Sequence, residues 1–281
     1  MPTLTQLILY PIKSCAGMAV EAAIVLESGL SARGVHDREW MLVTDDGQFL
    51  TQREVPRMAL VRPRPEGGQL CVSMPGQADL MLPLAWDGAA RARQVRIWDD
   101  VVDAADCGDG AAAWFAQALG TPCRLVRFRH DVVRPTSVKW TGGVPARTRF
   151  ADGYPLLLIG QASLDDLNAR LAAAGRAPLP MDRFRPNLVV GGLDAFEEDY
   201  LETLRTDDVA IRPVKPCARC PIPAIDQATG IPGPDPLDIL QRYRANARME
   251  GAVCMGMNCI VVRGDGAELR VGQDLDGELA F

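Results

Sequence analysis

Cys217 and Cys220, in Lys215-Pro-Cys-Ala-Arg-Cys-Pro-Ile-Pro223, are the residues of this chain best suited to chemistry. Two thiols at that spacing can clamp a metal, exchange a disulfide, or present one thiolate with the other behind it. Structural zinc needs four ligands. Cys254 and Cys259 could complete the set, though their wider spacing lies in a Met- and Gly-rich run far along the chain. A thioredoxin-like dithiol begins a helix after a strand, which Pro221 and Pro223 oppose. A plant-type iron–sulfur site needs its cysteines in one run, and here they are split. Two buried structural cysteines remain an open reading, beside that of a single reactive thiolate whose pKa Lys215 and Arg219 would lower. One thiolate cannot hold a metal by itself, so that second reading asks for a cofactor bringing its own donors.

Cations stand at three strand mouths: Lys13-Ser14 after the first strand, Asp37-Arg38 before another, and Phe184-Arg-Pro-Asn187 before a third. Loops at such ends gather around ligands, although a solvated surface cation has the same sequence signature.

The chain has 281 residues, long enough for one large or two modest domains. Its net charge is −6, which argues against nucleic acid as the main partner. With only His36 and His130 available, multi-histidine metal sites and most histidine-based triads are disfavoured. Eight cysteines are too dilute for a disulfide scaffold. The N-terminus lacks the pattern of a secretory signal and no apolar run is long enough to span a membrane, so the expectation is a cytoplasmic protein with reduced thiols and no membrane partner.

The elements that must position these residues are mostly strands. Alternation and turn residues predict strands at 4–10, 18–25, 40–44, 49–52, 58–62, 70–74, 94–98 and 125–128, with a helix at 109–119 ending at Gly120. Residues 129–149, broken by Pro135, Gly142, Gly143 and Pro145, are expected to hold the domain boundary. Beyond it come strands at 156–159, 188–190, 209–214, 260–263 and 268–271. A helix capped by Ser163-Leu-Asp-Asp166 is expected to run to Ala173, and another to cover 237–244. The fold class is α+β and β-rich: a β-barrel-like domain over 1–128, then a second β-barrel domain over 129–281 with a few short helices.

Tyr10-Pro-Ile-Lys-Ser-Cys15, Asp37-Arg38-Glu-Trp40, Thr51-Gln-Arg-Glu54 with Pro56, Phe184-Arg-Pro-Asn187, and Lys215-Pro-Cys-Ala-Arg-Cys220 with Asp226 and Thr229-Gly230 together resemble the MOSC proteins. These carry an N-terminal MOSC β-barrel domain and include the mitochondrial amidoxime reducing components and bacterial hydroxylaminopurine-detoxifying reductases. The motifs fall in the family's order over nearly the whole chain.

The resemblance implies a molybdenum–molybdopterin cofactor, with Cys220 as metal ligand and catalytic centre. It further implies that Lys13, Ser14, Arg38 and Arg185 hold the pterin and its phosphate, with Arg219 beside the ligand and Asn258 on the last loop facing the cofactor. Asn187 either binds the pterin or caps its own loop, and Cys217 stands behind Cys220. The other six cysteines read as small buried hydrophobes. The sequence departs from the pattern at Asp152-Gly-Tyr154, where relatives often carry hydroxyls. The implied activity is reduction of amidoximes, hydroxylamines or N-hydroxylated bases. Electrons would come from a separate flavin, haem or iron–sulfur protein, because the ferredoxin-like domain of some relatives is not expected here. The alternative is a cofactor carrier or sulfur-transfer protein.

Overall fold

The computed structural model describes residues 1–279 apart from 86, 87 and 89. Strands dominate, as the sequence leads one to expect, and the largest sheet curls into a half-barrel. Its order is Met18–Val20, Thr3–Leu9, Leu188–Gly191, Leu156–Gly160, Ala252–Arg263, Ala210–Ala218, Leu201–Arg205 and Asp276–Leu279, with Ala245–Asn246 also paired to Ala252–Arg263. One neighbouring pair, Leu156–Gly160 with Leu188–Gly191, is parallel. The helix Gln161–Ala173 supplies the crossover that a parallel pair requires.

The N-terminal strand lies within this sheet, pairing with Leu188–Gly191. Late in the chain, Glu268–Arg270 pairs in turn with Ala22–Leu26. The two halves therefore complete each other's sheets. A second sheet, in the order Ala92–Ile97, Asp100–Asp106, Arg124–Phe128 and Trp40–Val43, packs under the helix Asp109–Leu119. A three-stranded meander, Arg62–Glu66, Gln69–Ser73 and Leu80–Pro83, flanks it. One apolar core joins Leu4, Leu7 and Leu9 to Leu156, Leu158, Leu188 and Val190, while another gathers Trp40, Phe115 and Leu125. No helix among the described residues is long and apolar enough to cross a membrane.

Several expected elements change. Residues 49–52 form no strand: Phe49 makes one bridge to Val43, and the chain then turns so that Thr51 can bond Glu54. Residues 58–62 begin inside a 3₁₀ turn, Pro56–Leu60, because Pro56 sets its first φ. The proposed cap Ser163 lies within its helix, which begins at Gln161. Its hydroxyl donates to buried Glu198 at 2.7 Å and accepts the Phe196 amide, so it serves tertiary contacts. The last helix stops at Leu240, and residues 18–25 divide into Met18–Val20 and Ala22–Leu26. Cys254 and Cys259 lie on the long strand Ala252–Arg263, both fully buried.

Under the second sheet a buried carboxylate gathers its partners. Glu39, with no exposed surface, accepts Arg127 Nε at 2.7 Å and the His36 amide at 3.2 Å. Arg127 also donates to the carbonyl of Leu84 at 2.7 Å, tying the meander down. Arg127→Met strands this carboxylate, so it should cost about 3–5 kcal/mol, read as a lower Tm. Burial, helped by the Arg149 charge, holds the His36 imidazole down to about 4. The folded state thus resists a proton that the unfolded chain takes up near pH 6.5. Stability from this source is complete above about pH 6.5 and lost as the pH falls toward 4. His36→Gln should flatten that part of the pH–Tm curve.

Candidate functional site

A cavity of about 530 Å³ opens where the two halves meet, and all the singled-out site residues, Lys13, Ser14, Arg38, Arg185, Asn187, Arg219, Cys220 and Asn258, line it. Four of the seven non-glycine residues with positive φ among the described residues also line it: Ser14, Arg38, Trp98 and Arg185. Each such residue costs of order 1–3 kcal/mol and persists only where the surroundings impose it.

The surroundings that impose it meet at Asn187, which is 1% exposed. Its amide donates to the Ile8 carbonyl and to Asp37 Oδ1, both at 3.0 Å. Its Oδ1 accepts the Leu157 amide at 3.1 Å and Arg38 Nη1 at 2.9 Å. Both donors and both lone pairs are thereby used within the protein, so Asn187 positions Arg38 and offers a ligand nothing. Asp37, 2% exposed, accepts the Tyr10 amide at 2.8 Å and pairs with Arg38 at 2.6 Å. Arg38 and Arg185 each lie 4.3 Å from the centre of the Tyr10 ring.

Lys13 lies deep in the cavity wall, almost wholly buried. Its ammonium donates to the Phe150 carbonyl at 2.9 Å and to Asp152 at 2.5 Å. Desolvation opposes charge on Asp152, but the Lys13 ammonium outweighs it and holds the carboxyl below its usual range. Asp152, the point of departure from the resembled family, thus pairs with Lys13. Arg134 braces that loop from below through the carbonyls of Arg149, Ala151 and Asp152. Gln52 and Gln227 exchange amide hydrogen bonds at 3.0 and 2.9 Å, and Gln52 also donates to the Ser14 carbonyl at 2.8 Å. The turn that replaced the expected strand at 49–52 therefore holds the Lys13-Ser14 loop against the segment after Cys220.

Cys217 ends in the strand Ala210–Ala218 and Cys220 follows it, both on the cavity wall. Burial raises the Cys217 thiol, with Arg219 opposing. The Arg219 guanidinium turns from the thiols to the carbonyls of Met255, at 2.9 and 2.6 Å, and Phe184, at 2.8 Å. It thereby clamps the cysteine segment to two other cavity walls with two N–H groups to spare. Gly256 beside it has no room for a side chain: at φ +76°, an added Cβ would fall 2.6 Å from both the Leu158 carbonyl and the Ile159 side chain. Asn258, on the cavity lining, donates to the Lys215 carbonyl at 3.2 Å. Burial drives the remaining thiols upward, Cys15 and Cys107 to about 12 and Cys123 and Cys254 to about 11.

Seven cations and one carboxylate, Asp152, line the cavity. Lys13, Arg38, Arg53 and Arg183 each have an acidic partner. Arg185, Lys215 and Arg219 have none among the described residues, and burial works against charge on Arg185. The Ser14 hydroxyl is likewise unengaged there. The charge of this lining suits an anion. Among the described residues no group of three or more His, Cys, Asp or Glu side chains could hold a metal, so the four-cysteine zinc arrangement does not form. Neither histidine lines the cavity.

The description "MOSC N-terminal beta barrel domain" matches residues 1–122, and "MOSC domain" matches residues 145–276. The "Mitochondrial amidoxime reducing component 2" of Rattus norvegicus is 36% identical over 248 residues, covering 86% of this chain and 72% of its own. The Homo sapiens protein of that name is 36% identical over 246 residues, with the same coverage. Homo sapiens "Mitochondrial amidoxime-reducing component 1" is 32% identical over 246 residues, again at 86% and 72%. The chain belongs to the MOSC family of amidoxime reducing components.

Some of what lines this MOSC cavity escaped the reading of the sequence. Arg53 was part of a recognised motif without a role, and Trp98 passed as the end of a strand. The sequence suggests Lys215 as a modifier of the thiol, whereas its ammonium lies 5.7 Å from the Trp140 ring and 5.9 Å from that of Tyr154. The one available signal was the Thr51-Gln-Arg-Glu54 motif itself. For Asn187, whose four hydrogen bonds bind three segments, Asn187→Leu should cost about 2–4 kcal/mol and free Arg38. Thermal unfolding of the metal-free protein measures this.

Proposed function

We propose that the cavity binds a molybdenum–pterin cofactor and that the protein reduces N-hydroxylated compounds: amidoximes, hydroxylamines or N-hydroxylated bases. Electrons would come from a separate flavin, haem or iron–sulfur protein, and the setting would be the cytoplasm. The observation that carries this reading is a pair of half-buried thiols, Cys217 and Cys220, lining the same cavity as three cations that have no carboxylate partner among the described residues. A dianionic group that brings its own metal donors fits both features. When bound, the cofactor supplies a two-electron couple for cleaving the N–O bond.

The protein's part is placement. Cys220 would be the single protein ligand to the metal. Arg38 and Arg185, steadied against Tyr10, would hold the phosphate and pterin, and the Ser14 hydroxyl, the free N–H groups of Arg219 and the Asn258 side chain would complete the polar set. Lys13 and Asn187 act from behind, the one through Asp152 and the other through Arg38. Overall, N–OH takes two electrons and two protons to give N–H and water. The names of the relatives support amidoxime chemistry.

In purified protein loaded with cofactor, molybdenum and pterin should be released together on denaturation. Cys220→Ala should abolish benzamidoxime and hydroxylaminopurine reduction by a chemical donor while leaving the Tm nearly unchanged; retained full activity would remove Cys220 as the ligand. Arg185→Ala should weaken cofactor retention by about 1.5–3 kcal/mol. Full molybdenum loading without turnover would reject the reductase. A persulfide on Cys220 with weakly held molybdenum would instead indicate carriage or sulfur transfer.

A further inference from the structure

Trp98 occupies an improbable position. The strands Ala92–Ile97 and Asp100–Asp106 close with Ile97 opposite Asp100, leaving a two-residue loop of Trp98 and Asp99. Trp98 alone of the two has positive φ, at 54°. That is the pattern of a turn whose first central residue is ordinarily glycine. A large aromatic there is strained and, at 44% exposure, leaves much of its apolar surface in water. Neither cost serves the hairpin.

What holds the indole is directed toward the cavity. Its Nε1–H donates to Asp152 Oδ1 at 3.1 Å, the Arg53 guanidinium lies 4.8 Å from its ring, and Phe49 abuts it at 5.1 Å with planes 58° apart. Arg53 is itself held by Thr51 Oγ1 at 3.1 Å. Three segments thus present one exposed indole on the wall of the site. Elsewhere in the lining, Tyr154 and Lys215 continue the pairing of rings with cations.

We propose that Trp98 is a specificity-determining residue: its exposed indole surface is a stacking shelf that selects flat, π-conjugated substrates, such as aryl amidoximes and N-hydroxylated heteroaromatic bases, over aliphatic ones. The proposal rests on the reductase reading for its substrates, but the shelf itself is a binding feature. A flat ring gains dispersion and quadrupole contact against an indole that an aliphatic group of like polarity cannot match. The neighbouring guanidiniums strengthen this for electron-rich rings.

The test compares the holoprotein with Trp98→Gly and Trp98→Phe. Glycine relieves the backbone strain, so Trp98→Gly should unfold at or above the wild-type temperature, separating any functional loss from misfolding. With reduced methyl viologen as donor, the ratio of kcat/KM for benzamidoxime to that for acetamidoxime should fall about fivefold to tenfold in Trp98→Gly, mostly through KM for the aromatic substrate. Trp98→Phe, which keeps a ring but loses the bond to Asp152, should retain most of the ratio. Calorimetric titration with benzamidine and acetamidine, the corresponding products, should show the same change in preference. An unchanged ratio and preference in Trp98→Gly overturns the shelf. A loss in Trp98→Phe equal to that in Trp98→Gly also overturns it, assigning Trp98 to holding Asp152. If the wild-type holoprotein turns over neither substrate, the reductase reading fails, and the titrations still decide whether Trp98 selects aromatic ligands.

Discussion

The structure depends on a buried polar junction made by Asn187, Asp37 and Arg38. Three segments distant in sequence, the end of the first strand, the turn before Trp40 and the loop before Leu188, meet there. Every donor and acceptor of the Asn187 amide finds a protein partner. A junction of this kind has little tolerance, because a half-satisfied buried network is worse than an apolar core. It also explains why Arg38 can sit at φ 47° with its guanidinium at the cavity: the carboxylate of Asp37 and the amide of Asn187 hold it from behind.

From that junction follows the electrostatic character of the site. The chain as a whole is acidic, yet the cavity where its two halves meet is lined by cations. Acidic partners neutralise some of these, and Arg185, Lys215 and Arg219 keep their charge for what enters. Arg185 shows the principle most plainly: partly buried, left-handed in backbone and stacked on Tyr10, it holds an uncompensated charge that only an anion relieves. Desolvation makes such a site costly in the free protein and correspondingly strong toward a phosphate.

The eight thiols divide by environment. Those of Cys15, Cys123, Cys254 and Cys259 are enclosed by apolar strands and sheet interiors, where ionisation is opposed by burial. Cys217 and Cys220 alone line the cavity. The x₂ spacing does not make a four-ligand metal site here, because Cys254 and Cys259 sit on the paired strand with their thiols turned to the carbonyls of Ala252 and Met257.

Much was legible in the sequence because it is local. Alternating apolar residues marked most strands, and Gly120 marked the end of its helix in the left-handed conformation. The motifs around Lys13, Arg38, Arg185 and Cys220 pointed to one site, and all four line one cavity. What the sequence left open is what depends on partners far along the chain. Nothing in Ser163-Leu-Asp-Asp166 reveals that the serine binds Glu198, nor that residues 49–52 abandon a strand to support Ser14. The four-way satisfaction of Asn187 requires Ile8, Asp37, Arg38 and Leu157 together. Trp98 read as the end of a strand because its strain, its hold on Asp152 and its place at the cavity exist only once Arg53 and Asp152 are brought beside it. Local pattern determined the elements and the chemistry of the candidate residues; the crossing of the two halves decided which of them face a ligand and which hold the others in place, since hydrogen bonds and charges act through space and not along the chain.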